Sequence, residues 1–254
     1  VFRILRIIVL LLILISVALG AWRAKTRSVE WKSTLSVTIY PINGDGSPIV
    51  ANYLRNLSAA DFKPVESFMR DEAVRHGRSS SASIEIRLGE KIETQAPAPP
   101  RNGNAVEVMA WSLKMRWWAY RNTRSEGPGP QVKMFVLYFD PAQSARLGHS
   151  TGLQQGLIGR VNAFAARDMA KQNNVVITHE FLHTLGATDK YDRATNQPVF
   201  PEGYAEPALS PLLPQRFAEI MAGRTPLSKS EAETPASLDD ALIGSNTAQE
   251  INWK

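Results

Sequence analysis

The chain contains no cysteine. Disulfides, thiolate metal sites and cysteine nucleophiles are excluded in one step, so any metal would have to be held by nitrogen or oxygen. Histidine is scarce as well, at four residues, which leaves few candidates for a site built on imidazole. Long hydrophobic runs are missing except near the N-terminus, and no internal repeat is visible. With 44% hydrophobic and 21% charged residues, usage is ordinary for a globular protein, and neither wholesale disorder nor a polytopic membrane protein is indicated. A length of 254 residues suits one large domain or two small ones.

The formal net charge of +5 is spread along the chain, with one exception. Lys114, Arg116, Arg121 and Arg124 stand among Trp111, Trp117, Trp118 and Tyr120. Basic and aromatic residues together can bind single-stranded nucleic acid. At helical spacing, however, the tryptophans read as one buried face and the arginines as a solvated one, so no nucleic-acid partner is expected.

The N-terminal exception begins with Arg3 and Arg6 ahead of a nearly all-aliphatic run, Ile7 to Leu19, and ends with Arg23, Lys25 and Arg27. This is the shape of a secretory signal peptide, and Ala18-Leu19-Gly20 offers small residues where a signal peptidase reads. Ile4 to Trp22 also approaches the length of a bilayer-spanning anchor. Either reading sends the rest of the chain across the membrane, to a periplasmic or secreted location, with the membrane as a partner if the segment is retained. Residues 1–28 are set apart on this ground, leaving 29–254 as the folded part.

Within that part, Leu35 to Ile42 alternates and reads as a strand, ended by the Asn43-Gly44-Asp45-Gly46 turn cluster. Helices are expected over Ile49 to Leu57 and Asp61 to His76, the second with an apolar stripe of Phe62, Val65, Phe68, Met69 and Ala73. Ser83 to Leu88 reads as a strand, Gln95 to Asn104 as a proline-rich loop, and Ala105 to Arg121 as a helix. After the Gly127-Pro128-Gly129-Pro130 breaker, Val132 to Phe139 is apolar enough for the middle of a sheet. Leu157 to Phe164 is expected as an edge strand. Ser237, with Asp239 and Asp240 behind it, is expected to cap a closing helix that runs toward Trp253. Alternating strands and helices imply an α/β (α+β) fold with a twisted mixed sheet.

The segment that carries chemistry runs from Val175 to Asp192. On a helix, His179 and His183 are four residues apart and present two imidazoles to one ion. Glu180 sits on the same rim, where it can take a proton from water. Gly186 can adopt the left-handed conformation that ends a helix, after which the chain can turn back and bring Asp189 under the same ion. Two imidazoles and one carboxylate leave a fourth position open, which is the pattern of a catalytic site rather than a closed structural one.

These residues resemble the signature of the metzincin peptidases, HExxHxxGxx followed by His or Asp, with a methionine turn further on. The match is His179, Glu180, His183, Gly186 and Asp189. It is similar to the aspartate variant found in snapalysins, and Asp189-x-Tyr191-Asp192 also resembles the immune inhibitor A peptidases. The resemblance implies zinc as the cofactor, His179, His183 and Asp189 as its ligands, Glu180 as general base, and a protein or peptide as substrate. It also implies an upper part of about 29–186 with the active-site helix beneath the sheet, and a small loop-rich lower part of about 187–254. Met221, in Ala218-Glu219-Ile220-Met221-Ala222-Gly223, is the candidate for the methionine turn.

Some assignments stay open. Several family members carry a tyrosine where Gly223 stands, so oxyanion stabilisation is unassigned, and Tyr191 and Tyr204 are the nearest alternatives in sequence. Glu202 is a rival third ligand at the spacing used by thermolysin-like enzymes, where that glutamate sits on a helix. Pro198, Pro201, Pro207, Pro211 and Pro214 disfavour a helix here, which favours Asp189. His149 and His76 carry no assignment. Asp192 could support Asp189 or bind calcium, or be a solvated loop acid. The rival functions are a membrane-tethered binding protein without catalysis and a metal-dependent hydrolase of a non-peptide bond.

Overall fold

The computed structural model describes residues 29–78, 84–100, 103–123, 132–144, 146–154 and 156–254, together with positions 6, 7 and 11. Apart from those three positions, the candidate signal or anchor segment lies outside the described residues, as do Ser83, Arg124 and the Gly127-Pro128-Gly129-Pro130 breaker.

Five strands form the main sheet: β1 (Leu35–Asn43), β2 (Ile84–Leu88), β3 (Val132–Phe139), β4 (Thr151–Leu153) and β5 (Ile158–Phe164). Their order is β2-β1-β3-β5-β4, with β4 antiparallel to β5 and the other pairs parallel. The fold is therefore mixed α/β.

β3 is central and buried on both faces, as its unbroken apolar sequence requires. Val132, Met134, Val136 and Tyr138 face one core, and Phe135 and Leu137 face the other. The first core also holds helices α1 (Pro48–Arg55), α2 (Lys63–Arg75) and α4 (Ala170–Leu185), and the second holds α3 (Ala105–Asn122). From β1 the chain passes outward through α1 and α2 to β2, then back across β1 through α3 to β3. Reversing the direction of travel along the sheet puts the next helix on the opposite face, as right-handed crossovers demand.

Local chemistry sets the helix ends. Ser47 caps α1 by accepting from the Val50 amide at 3.1 Å, with Pro48 in the first turn. Asn104 and Glu107 form a reciprocal capping box at the start of α3, satisfying amides that a helix otherwise leaves unpaired. The stretch expected as one helix from Asp61 is divided: a 3-10 turn over Ala59–Phe62 leads into α2 at Lys63, where Pro64 is accommodated in the first turn.

Three expectations are corrected. Leu157 to Phe164 is not at the edge, because the short β4 pairs with its outer side. The tryptophans of α3 do not share one face: Trp111 and Trp118 are buried, whereas Trp117 is exposed, as is Tyr120. Positions 111 and 118 are two turns apart and aligned, while 117 and 120 point away from them. Ser237 does cap as expected, accepting from the Asp239 amide, but it caps a 3-10 turn of three residues. Ala241–Leu242 then extends as β9 to pair with β6 (Ala218–Glu219), and the closing helix α5 starts only at Ser245 and ends at Glu250.

The region after Gly186 is loop-rich, with β6 and β9 forming one two-stranded sheet and β7 (Thr225–Pro226) and β8 (Ala232–Glu233) another. It nevertheless has no core of its own. Ile220, Met221, Leu238, Ile243, Ile251 and Trp253 belong to the same buried cluster as α2, α4 and the sheet. Trp31 ties the far ends of the chain together, donating its indole N–H to the Ile251 carbonyl at 2.7 Å and packing on Trp253.

Candidate metal centre

Helix α4 lies along β5 and β4, with Phe181, Leu182 and Leu185 in the core. Its entry is fixed by Asn173, whose side chain both donates to and accepts from the Phe164 backbone at the end of β5. Gly186 ends the helix with φ of 111°, and the Ala187 amide donates to the Leu182 carbonyl at 3.1 Å. A side chain would be strained at that φ. The chain turns back at this point and carries Asp189 beneath the two histidines.

The three side chains converge. His179 Nε2 and His183 Nε2 are 3.1 Å apart, and Asp189 Oδ1 lies 3.3 Å from the first and 2.9 Å from the second. Each imidazole is held from behind: Nδ1 of His179 meets the Ile220 carbonyl at 2.9 Å and Nδ1 of His183 meets the Ala187 carbonyl at 2.8 Å. A carbonyl only accepts, so in the neutral rings the proton sits on Nδ1 and the Nε2 lone pairs face one another. Asp189 Oδ1 and Glu180 Oε2 are buried with no hydrogen-bond donor. One donor atom from each of His179, His183 and Asp189 lies within 4.8 Å of the others, so these three residues could hold a metal ion.

The electrostatics agree. Burial opposes charge on His179, but the facing Asp189 carboxylate and the nearby Glu180 carboxylate outweigh it and raise the imidazole to about 9. Burial likewise opposes charge on Asp189, and the two histidines outweigh it, holding the carboxyl well below its usual range. Glu180 is pushed up by burial, against the pull of both histidines. A carboxylate made more basic by its surroundings suits proton transfer near neutrality.

The centre opens into a cavity of about 570 Å³ lined by His149, Ser150, Thr151 and Gly152 on one side and Tyr191, Arg193 and Asn196 on the other. β4 can lie against the helix because Gly152 has no side chain: a Cβ there would stand 2.4 Å from the Glu180 carbonyl oxygen and 2.5 Å from His183 Cβ. Asn162 of β5 holds the approach to β4, donating to the Gly148 and His149 carbonyls. Tyr191 faces Asp189, and its phenol is raised by burial and by that carboxylate.

The other candidates fall elsewhere. Glu202 and Tyr204 line a separate cavity with Arg75 and Ser245, so Glu202 is not brought to the histidines. Asp192 is exposed and spends Oδ1 on the Ala194 and Thr195 amides of its own turn. His76 ends α2 and meets the Ile243 carbonyl at 2.7 Å. Met221 is fully buried, and its turn passes behind His179, since the neighbouring Ile220 supplies the carbonyl to that ring.

Sequence reasoning missed Glu219. Its buried carboxylate accepts from the Met221 and Ala222 amides on one oxygen and from the Gly244 amide and Thr247 hydroxyl on the other. It clamps the turn that positions His179. An acid amid Ala218, Ile220 and Met221 was the available signal, since an apolar segment seldom buries a carboxylate without partners.

No family model matches the chain, and no curated protein resembles it in sequence. Among solved structures it is similar to wild-type OgpA from Akkermansia muciniphila, at 12% identity and a TM-score of 0.38, over 85% of this chain. The chain spans 59% of the length of that protein. So distant a likeness adds nothing to the chemistry, which rests on the residues themselves.

Proposed function

We propose that the chain is a zinc-dependent peptidase of the metzincin type. The observation that carries the reading is the convergence of His179, His183 and Asp189, with the Glu180 carboxylate on the wall of the same cavity. Three protein ligands of this kind suit zinc and leave a position for substrate or water. When bound, the ion supplies Lewis acidity, which polarises a carbonyl and makes water acidic enough to lose a proton near neutrality. Glu180 takes that proton and returns it to the amine leaving group. Ile220 and Ala187 hold the imidazoles in the tautomer that offers Nε2, and Tyr191 is placed to donate to charge that builds on the substrate oxygen. The substrate is a protein or peptide lying in the cavity beside β4. The N-terminal apolar run supports an extracytoplasmic location.

Elemental analysis of the purified protein, with hydrolysis of a peptide panel in the presence and absence of a chelator, tests the reading. Glu180→Gln is expected to keep zinc and lose hydrolysis, and His183→Ala to lose zinc. Full turnover by Glu180→Gln would remove the mechanism. A metal-free protein that still cleaves peptides would remove the whole assignment.

A further inference from the structure

Helix α3 has two apolar faces. The inner one, with Trp111, Met115 and Trp118, is buried against Tyr40, Phe135 and Leu137. On the other side Val106, Met109, Leu113, Trp117 and Tyr120 follow at steps of three or four residues, which sets them in one stripe along the helix. They are 67, 60, 59, 60 and 80% exposed. Single exposed apolar side chains are ordinary, but five in line along an 18-residue helix form a contiguous patch of the kind that marks an interaction surface.

What borders the stripe identifies its partner. At 100° per residue Lys114 and Arg121 fall along one margin, both exposed, and the Arg121 guanidinium stands 5.1 Å from the centre of the Trp117 ring. The acid of this helix, Glu107, is engaged at its first turn with the Asn104 amide. A second copy of the stripe would bring cation against cation. An anionic lipid surface would pair with the cations, accept Val106, Met109 and Leu113 among its acyl chains, and hold Trp117 and Tyr120 at its polar boundary.

We propose that the outer face of α3 docks in the plane of an anionic lipid bilayer. The assignment does not depend on the metal centre, which belongs to a helix on the opposite face of the sheet.

The absence of cysteine makes the test direct. Leu113→Cys and, as control, Val74→Cys on the exposed side of α2 each carry a single polarity-sensitive fluorophore in the full chain, reconstituted into vesicles. Both labels sit on the same full chain, so any tethering by its N-terminal run is common to them and only orientation separates them. In phosphatidylcholine vesicles containing phosphatidylglycerol, the label at 113 is expected to shift to shorter wavelength and to be quenched by spin-labelled lipid several-fold more than the label at 74. Lys114→Gln with Arg121→Gln should reduce that difference. The proposal is overturned if the label at 113 stays as wet as the control, or if it inserts equally into pure phosphatidylcholine. It is also overturned if the label is protected without vesicles while light scattering shows a dimer, which would assign the stripe to a second copy.

Discussion

At the scale of single residues, the centre is defined by what its atoms lack. A buried acceptor without a donor costs on the order of 1–3 kcal/mol, and Asp189 Oδ1 and Glu180 Oε2, from two residues that line one cavity, are both such atoms. The histidines and Asp189 were legible in the sequence because their relation is local: four residues on one helix, then a glycine and three more. The cavity lining was less so. Tyr191 and Tyr204 were equivalent by sequence distance, and only the fold separates them, sending Tyr191 to the cavity of His179, His183 and Asp189 and Tyr204 to that of Glu202. From this placement Tyr191→Phe is expected to lower kcat by about 10²-fold, the cost of one donor to a developing oxyanion, with KM and zinc content little changed. Loss of zinc instead would make Tyr191 a support for Asp189 rather than a partner of substrate.

At the scale of elements, long periodic segments were readable and short ones were not. β3, α2 and α3 announce themselves through apolar period or caps. β4 has three residues, Thr151 to Leu153, and owes its extended form to pairing with β5 and to the clearance above Gly152, neither of which is encoded nearby. Ser237 shows the limit of a local signal, because a sound cap cannot prolong a helix whose next residues gain more by pairing with β6.

The segment carrying Asp189 is similarly fixed from afar. Glu250 of α5 accepts from Lys190 Nζ at 2.7 Å, from the Thr188 hydroxyl at 2.6 Å and from the Thr188 amide at 3.0 Å. Burial opposes its charge, but these donors outweigh burial and hold its carboxyl below the ordinary 4.5. A depressed folded value means that the native state binds fewer protons than the unfolded one. This contribution is therefore complete above about pH 4.5 and is lost as pH falls through the folded value. Glu250→Gln leaves the buried Lys190 ammonium without its counter-charge and should cost about 2 kcal/mol, less than a fully buried pair because the carboxylate is partly in water. Urea melts of both proteins at pH 7 and pH 3 check this: the gap is expected at pH 7 and should narrow at pH 3.

At the scale of the whole molecule, the centre draws on three stretches of chain that the single core brings together. Helix α4 gives the imidazoles, the loop after Gly186 gives Asp189, and the turn clamped by Glu219 supplies the Ile220 carbonyl behind His179. An ion bound here joins the helix to the loop-rich part, whose apolar residues already lie in the main core, so the fold should stand without metal and gain from it. A ligand that binds only the native state adds about 2.7 kcal/mol at 100 times its Kd. Zinc is therefore expected to raise the melting temperature, a chelator to reverse the rise, and His183→Ala and Asp189→Ala to abolish the response. Glu202→Gln should keep it, because Glu202 faces Arg75 and Ser245 in another cavity. If Glu202→Gln lost the zinc response while Asp189→Ala retained it, the third ligand would pass to Glu202, and the metzincin reading would give way to a thermolysin-like one.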